Sequence, residues 1–152
     1  MWQGSSKINM EEIFFNKFLC MPIIVWACIQ VFKVLTELVM TKKFNFKRLM
    51  GAGGMPSSHS AVVTCLASMI GKEYGFESGV FAMACVFAVI VMYDAAGVRR
   101  AAGKQATLLN KIIASPNLSS VEFQEKLVEV LGHTPLQVFV GAIIGIVVGL
   151  LV

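Results

Sequence analysis

Charged residues are scarce in this chain, and that scarcity excludes an ordinary soluble domain. Asp, Glu, Lys and Arg make up 14% of the 152 residues, 57% are hydrophobic, and the mean hydropathy is +0.75. Soluble domains carry nearer a quarter charged residues. The length allows one membrane-embedded bundle and no separate soluble module. We therefore expect an all-α integral membrane helical bundle, with residues 1–152 forming a single domain.

Metal-ligand and thiol-redox motifs are also missing from the sequence. The four cysteines lie within apolar runs, and none has the spacing of a zinc site or a redox pair. We interpret them as small core residues: Cys20, Cys28, Cys65 and Cys85. No basic patch leads into an apolar stretch with a small-residue cleavage site, so no cleavable signal peptide is expected. The sequence predicts neither a metal nor a cofactor.

Four apolar segments are candidate membrane helices. They cover residues 18–40, 61–70, 79–93 and 136–152. The second is too short to cross a bilayer upright and is expected to begin with Ser57 or Ser58 as its N-cap. Residues 71–78 have the composition of a turn. The third segment is expected to continue as a polar helix outside the membrane until Pro116, and residues 119–131 have the pattern of an amphipathic cytoplasmic helix.

Lysine and arginine are distributed unevenly if all four segments cross the membrane. Nine of them lie on one side: Lys42, Lys43, Lys47, Arg48, Arg99, Arg100, Lys104, Lys111 and Lys126. Only Lys7, Lys17 and Lys72 lie on the other side. The positive-inside rule then predicts a multi-pass protein of the cell membrane with the first group in the cytoplasm. Membrane topology also explains the net charge of +4 without a nucleic-acid partner.

Two stripes inside the apolar segments need an explanation. Gln30, Lys33 and Glu37 share one face of the first helix, where Lys33 and Glu37 are expected to neutralise each other in the bundle interior. A small transporter component would also place polar groups there. The last segment has glycines at intervals of four: Gly141, Gly145 and Gly149. Such a stripe lets another helix approach closely, either from the same chain or from a second copy in a homodimer.

The two histidines, His59 and His133, both fall in first turns of helices on the basic side. The same side holds four further charged candidates: Arg48, Arg99, Arg100 and, at the membrane boundary, Asp94. Helix N-termini attract anions, and arginine binds phosphate oxygens bidentately. Two imidazoles can divide the roles of nucleophile and general acid. Each residue alone has a structural explanation, as a cap or an interfacial anchor, but together they favour a phosphate site.

These residues resemble a known superfamily. Residues 55–60, Met-Pro-Ser-Ser-His-Ser, are similar to the Pro-Ser-Gly-His motif of the type 2 phosphatidic acid phosphatases, which are related to the vanadium-dependent haloperoxidases. Residues 132–138, Gly-His-Thr-Pro-Leu-Gln-Val, are similar to the second half of its last motif. Together with residues 53–61 and 93–103, they resemble the divergent bacterial and plant branch from about residue 48 to residue 149.

The resemblance implies a fold, an activity and a set of site residues. His133 would attack phosphorus and His59 would protonate the leaving oxygen. The implied phosphate ligands are Arg48, one or both of Arg99 and Arg100, and Ser57 with Ser58. The implied enzyme is a metal-independent hydrolase of a lipid phosphate or lipid pyrophosphate at the cytoplasmic face.

Three departures from the superfamily pattern leave a second hypothesis open. The Lys-x6-Arg-Pro motif is not reproduced around Arg48, and the arginine expected six residues before the last histidine is Leu127. The carboxylate expected four residues after His133 is Gln137, which also fits a helix capping box. Asp94 or Glu129 would then have to supply the missing negative charge. The alternative is a catalytically weak or inactive member that binds anionic lipid headgroups or serves as a membrane assembly partner.

Overall fold

The computed structural model describes residues 10–42, 54–114, 127 and 132–152, and these residues contain helices and no strand. The six helices are α1 (Met10–Phe14), α2 (Lys17–Thr41), α3 (Ser58–Tyr74), α4 (Gly79–Ala96), α5 (Val98–Ile113) and α6 (Pro135–Leu151). Two stretches, α2 and Gly79–Ile113, are long and apolar enough to span a membrane, and α6 is apolar but shorter. The expected all-α integral membrane bundle is confirmed.

Large apolar side chains cover much of the outside of the bundle. On α4, Val86, Val89 and Ile90 are all more than half exposed. An aqueous surface rarely presents such a continuous apolar area, whereas lipid chains solvate it without cost. The exterior of α4 is therefore suited to lipid.

Two of the predicted helix boundaries were wrong, both at glycines. α3 continues through Gly71 to Tyr74, and a side chain at Gly71 would overlap the rings of Phe76 and Phe81. This glycine makes room for packing inside the helix and does not begin a turn. The third segment is interrupted at Gly97, whose φ of −102° and ψ of −84° separate α4 from α5. The amphipathic helix predicted for residues 119–131 lies outside the described residues, apart from position 127.

α2 and α3 run antiparallel. Lys17 at the start of α2 forms an ion pair of 2.7 Å with Glu73 at the end of α3. The rings of Phe18 and Tyr74 are 5.7 Å apart at the same level. The core between the two helices is built from five buried side chains: Val25, Ile29, Ala61, Cys65 and Met69. Burying these side chains against each other fixes the register along both helices.

The glycine stripe of α6 packs against α3. A side chain at Gly141 would meet the Ser57 carbonyl, and one at Gly145 would meet the Ala61 carbonyl. Thr64 Oγ1 adds a hydrogen bond of 3.1 Å to the carbonyl of Ala142. Because Gly141 and Gly145 follow the order of Ser57 and Ala61, the two helices are parallel. The stripe is used within the chain, so it gives no reason to expect a homodimer.

Candidate functional site

Three helix ends meet at one end of the bundle. The backbone N–H of Ser57, which precedes α3, donates to the Gln137 carbonyl in the first turn of α6 at 3.0 Å. The backbone N–H of His133, which precedes α6, donates to the Ala95 carbonyl near the end of α4 at 2.9 Å. The N-termini of α3 and α6 therefore lie side by side. First-turn N–H groups without helical partners make this a favourable place for an anion.

The two imidazoles lie together at this end. The ring centroids of His59 and His133 are 6.1 Å apart, and the rings are inclined by 55°. Reacting groups are held about 3–3.5 Å apart in productive complexes. One phosphoryl group between the rings can therefore contact both. Sequence analysis predicted this pairing from two motifs separated by more than seventy residues.

His133 is an unusual buried polar residue. Its side chain is only 2% exposed, and neither ring nitrogen has a hydrogen-bond partner among the described residues. The Nδ1 atom of His59 also has no such partner. Buried polar atoms are nearly always hydrogen-bonded, so each exception requires a specific cause. A ligand that binds between the rings is one such cause.

The surroundings of His133 keep its imidazole neutral. The pKa of His133 falls from its usual 6.5 to about 4, first because of burial and then because of the positive charge of Lys33. The neighbouring Gln137 side chain opposes the shift, whereas His59 and Arg99 add to it. At neutral pH this ring therefore keeps a lone pair available for nucleophilic attack.

The two predicted serine ligands are buried at the start of α3. Ser57 is the N-cap, which settles the alternative that the sequence left open: its hydroxyl oxygen accepts hydrogen bonds from the Ser60 backbone N–H and hydroxyl. Ser58 is 2% exposed at the first helical position. A cap hydroxyl contributes about 1 kcal/mol to helix stability. Ser57 thus has a structural role whether or not it also contacts phosphate.

The predicted charged residues differ in the contacts that they make. Arg99 Nε donates to Asp94 Oδ2 at 2.6 Å, and both side chains are 40–45% exposed. Asp94 therefore contacts an arginine and makes no hydrogen bond to either histidine among the described residues. The backbone of Arg100 packs against Gly132, the residue before His133, and Gly132 has a positive φ of 88°. Arg48 lies outside the described residues.

Gln137 occupies the place where the superfamily pattern has a carboxylate. The side-chain Oε1 of Gln137 accepts a hydrogen bond from the Thr134 backbone N–H at 3.0 Å. The backbone N–H of Gln137 donates to Thr134 Oγ1 at 3.3 Å. This is the capping box that the sequence predicted, with Pro135 in the first turn. Gln137 fixes the start of α6 and, through its carbonyl, the position of Ser57.

Sequence analysis missed the nearness of Lys33 to the two histidines. It interpreted Lys33 and Glu37 as a neutral pair in the bundle interior. The Lys33 side chain is 3% exposed, and its charge also acts on His133. The available signal was an ionisable residue within an apolar span, which commonly marks a functional position. Within the described part of the chain, no cluster of three or more His, Cys, Asp and Glu side chains is arranged to hold a metal ion.

Comparisons with known proteins agree with this architecture. The model of the Divergent PAP2 family matches residues 14–148. The chain is also similar to the uncharacterized membrane protein YuiD of Bacillus subtilis (strain 168), with 42% identity over 132 residues, covering 80% of this chain and 84% of that protein. No solved structure matches the chain. The family match and the curated relative each cover most of the sequence, so this membrane protein belongs to the Divergent PAP2 family.

Proposed function

We propose that this protein hydrolyses the phosphate or pyrophosphate group of a membrane lipid, with His133 as the nucleophile and His59 as the general acid. The observation that carries the proposal is the pair of imidazoles, 6.1 Å apart, at the junction of two helix N-termini. The imidazole pair and the helix N-termini are both what phosphoryl transfer through a histidine needs.

The proposed reaction has two steps. In the first, a nitrogen of neutral His133 forms a bond to phosphorus while the bond to the lipid oxygen breaks, and protonated His59 gives its proton to that oxygen. In the second, His59 takes a proton from water, the water oxygen bonds to phosphorus, and the bond to His133 breaks to release phosphate. Arg99 and the N–H groups of the first turns stabilise the equatorial oxygens.

An apolar groove supports a lipid substrate over a soluble phosphate ester. The groove has a volume of about 380 Å³ and runs between α2, α3 and α4, where Trp26, Val62, Phe87 and Val91 line it. Among the described residues that line it, His59 is the one ionisable residue. A hydrocarbon chain that lies in this groove would present its phosphate to the imidazoles. Burial of each methylene contributes about 0.8 kcal/mol to binding.

Filling the groove should reduce activity on long-chain substrates selectively. We expect Val62→Trp to lower kcat/KM for a long-chain lipid phosphate by about tenfold, since displacing about two methylenes at about 0.8 kcal/mol each gives that factor. Hydrolysis of a short soluble ester such as p-nitrophenyl phosphate should change little. Val86→Trp, on the exposed face of α4, is the matched control. Equal losses on both substrates would contradict the lipid-chain assignment.

The acid limb of the pH profile should lie unusually low. Attack requires the neutral form of His133, whose pKa of about 4 lies below the usual 6.5. The loss of kcat/KM caused by protonating this nucleophile should therefore centre near pH 4, so that most of the neutral form persists at pH 5. The rate of hydrolysis of an aryl phosphate, measured between pH 3.5 and 8, locates this limb. A limb centred near pH 6.5 would mean that the nucleophile is an ordinary exposed histidine.

We place the site at the cytoplasmic face of a multi-pass protein that folds as one domain. Lys42, after the end of α2, lies at the same end of α2 as the site-proximal Lys33, whereas Lys17 and Glu73 lie at the other end. The positive-inside rule then orients the site end toward the cytoplasm. Cysteine accessibility at positions 42 and 17 in intact cells tests this orientation.

A second candidate function is headgroup binding without turnover. It is favoured by Gln137, because an amide in this position orients neighbouring groups but supplies no negative charge to an imidazolium. Purified protein assayed for phosphate release from phosphatidate, phosphatidylglycerol phosphate and an isoprenyl pyrophosphate separates the two functions. Release from at least one lipid supports hydrolysis, and saturable binding with no release from any lipid supports the second function.

A further inference from the structure

One face of helix α5 packs against the protein itself. Its buried residues are spaced three and four apart: Gly103, Ala106 and Asn110. Asn110 holds the backbone of Leu127, because its Nδ2 donates to the Leu127 carbonyl at 2.9 Å and its Oδ1 accepts from the Leu127 N–H at 3.1 Å. The chain that leads toward His133 is therefore held on this buried face at position 127.

The rest of the α5 surface carries a basic stripe and an apolar stripe side by side. The basic stripe consists of cations spaced four and seven residues apart, which places them on one face: Arg100, Lys104 and Lys111. The apolar stripe beside it contains exposed side chains: Val98, Leu108 and Leu109, whose exposed fractions are 62%, 61% and 47%. Neither stripe coincides with the face that holds position 127.

The apolar stripe indicates that α5 does not point straight away from the membrane. Tyr93, in the last turn of α4, is 74% exposed and is a residue type enriched where membrane meets water. α5 begins five residues later, and Leu108 lies ten residues beyond Val98, or about 15 Å along the helix. If α5 pointed into the water, Leu108 would be stranded there. If α5 lies along the membrane surface, Leu108 reaches the acyl chains.

The basic stripe indicates the sign of charge on that surface. α5 contains no Asp or Glu, and none of its three stripe cations forms an ion pair with a described residue. An exposed apolar face bordered by Lys and Arg is typical of helices that lie in the interface of an anionic membrane. A second copy of this chain would bring an identical basic stripe to the contact, which like-charge repulsion opposes.

We propose that α5 lies along the membrane surface and binds the headgroups of anionic lipids that are not substrates. Arg100, Lys104 and Lys111 contact the lipid phosphates, and the apolar stripe enters the boundary of the acyl chains. Arg100 is thereby assigned to the surrounding lipid and not to the transferred phosphate, whereas Arg99 pairs with Asp94. This surface is separate from the histidine site and does not depend on the proposed hydrolysis.

The rate at which a membrane-impermeant maleimide labels Leu108→Cys tests this contact. Nanodiscs of phosphatidylcholine are compared with nanodiscs of equal parts phosphatidylcholine and phosphatidylglycerol, two lipids without a phosphate monoester. We expect labelling about tenfold slower in the anionic discs, because each cation near an anionic surface contributes about fivefold. Glu77→Cys, exposed at the opposite end of the bundle, is the matched control and should react equally in both. The unsubstituted chain gives the background from its four native cysteines.

Removing the lysines shows whether charge causes the protection. In anionic discs, the double substitution Lys104→Gln and Lys111→Gln should restore most of the labelling rate of Leu108→Cys, whereas Lys72→Gln, at the opposite end, should not. Slow labelling that is independent of lipid charge or of these two lysines would mean that a protein surface covers Leu108, and the proposal is overturned. Fast labelling in both kinds of disc would place this face in water and would overturn it equally.

Hydrogen exchange of the wild-type protein gives a readout without substitution, should Leu108→Cys fail to fold. Backbone amides of residues 98–113 should exchange more slowly in the anionic discs, and equal exchange in both discs overturns the proposal. Phosphate release from a lipid phosphate is a separate measurement. Protection of α5 by anionic lipid without any hydrolysis would retain the α5 surface and reject the enzyme, whereas hydrolysis without such protection would do the reverse.

Discussion

His133→Ala should lower phosphate release by about 10⁴-fold or more, the usual cost of removing a catalytic nucleophile. The expected reason is chemical, because His133 would form the covalent bond to phosphorus in the proposed reaction. The side chain makes no hydrogen bond to the described residues, and the backbone contact from His133 to Ala95 survives the substitution. The variant should therefore fold like the wild type. Initial rates of phosphate release from a lipid phosphate measure the effect.

The comparison with His59→Ala tests the division of roles. If His59 protonates the leaving oxygen, its loss should cost about 10²–10⁴-fold on a lipid substrate. An aryl phosphate, whose leaving group departs without a proton, should recover much of that loss. His133→Ala should show no such recovery. Gln105→Ala, on the exposed face of α5, is the control, and undiminished hydrolysis by His133→Ala would refute the proposed nucleophile.

Gly145→Leu should disrupt the contact between α3 and α6. Any side chain at Gly145 would overlap the Ala61 carbonyl and Thr64 Oγ1, and a helix backbone cannot move aside as a side-chain tip can. We expect a destabilisation of about 3 kcal/mol or more, at the upper end of overpacking. Activity should fall with stability, because this contact aligns the N-termini that carry both histidines.

A matched glycine is available for comparison. Gly79, at the start of α4, has open space where a side chain would be built. Gly79→Leu should therefore leave the unfolding temperature within a few degrees of the wild type, since helix propensity itself favours the change. Thermal unfolding in detergent at one fixed scan rate measures both variants. Equal unfolding temperatures would show that α6 does not pack on α3 through its glycines.

Local features of the fold were predictable because they depend on neighbours in the chain. The capping box of Thr134 and Gln137 is specified within four residues, and so is a serine cap before α3. The length of α2 follows from its apolar run. Gly71 misled the prediction because its neighbours in space, Phe76 and Phe81, decide its role, and the sequence does not reveal that contact.

The candidate site was only partly accessible to the same reasoning. Two motifs identified His59 and His133 as candidate site residues. Their roles in phosphoryl transfer stay a prediction. Asp94 was one candidate for orienting a histidine. It forms an ion pair with Arg99, and its role at the site stays a prediction. Lys33 was assigned to a structural pair because helical spacing relates it only to residues of its own helix, such as Glu37.

The sequence by itself determined that the chain is an apolar helical bundle with capped helices and two histidine motifs, since composition and short-range spacing are sufficient for those features. Tertiary structure alone decided which surfaces meet. It packed the glycines of α6 against α3 within one chain, set the 6.1 Å between the imidazoles, and buried Lys33 where its charge acts on His133. The reason is that burial and electrostatic interaction depend on distance in space, which the register between packed helices sets.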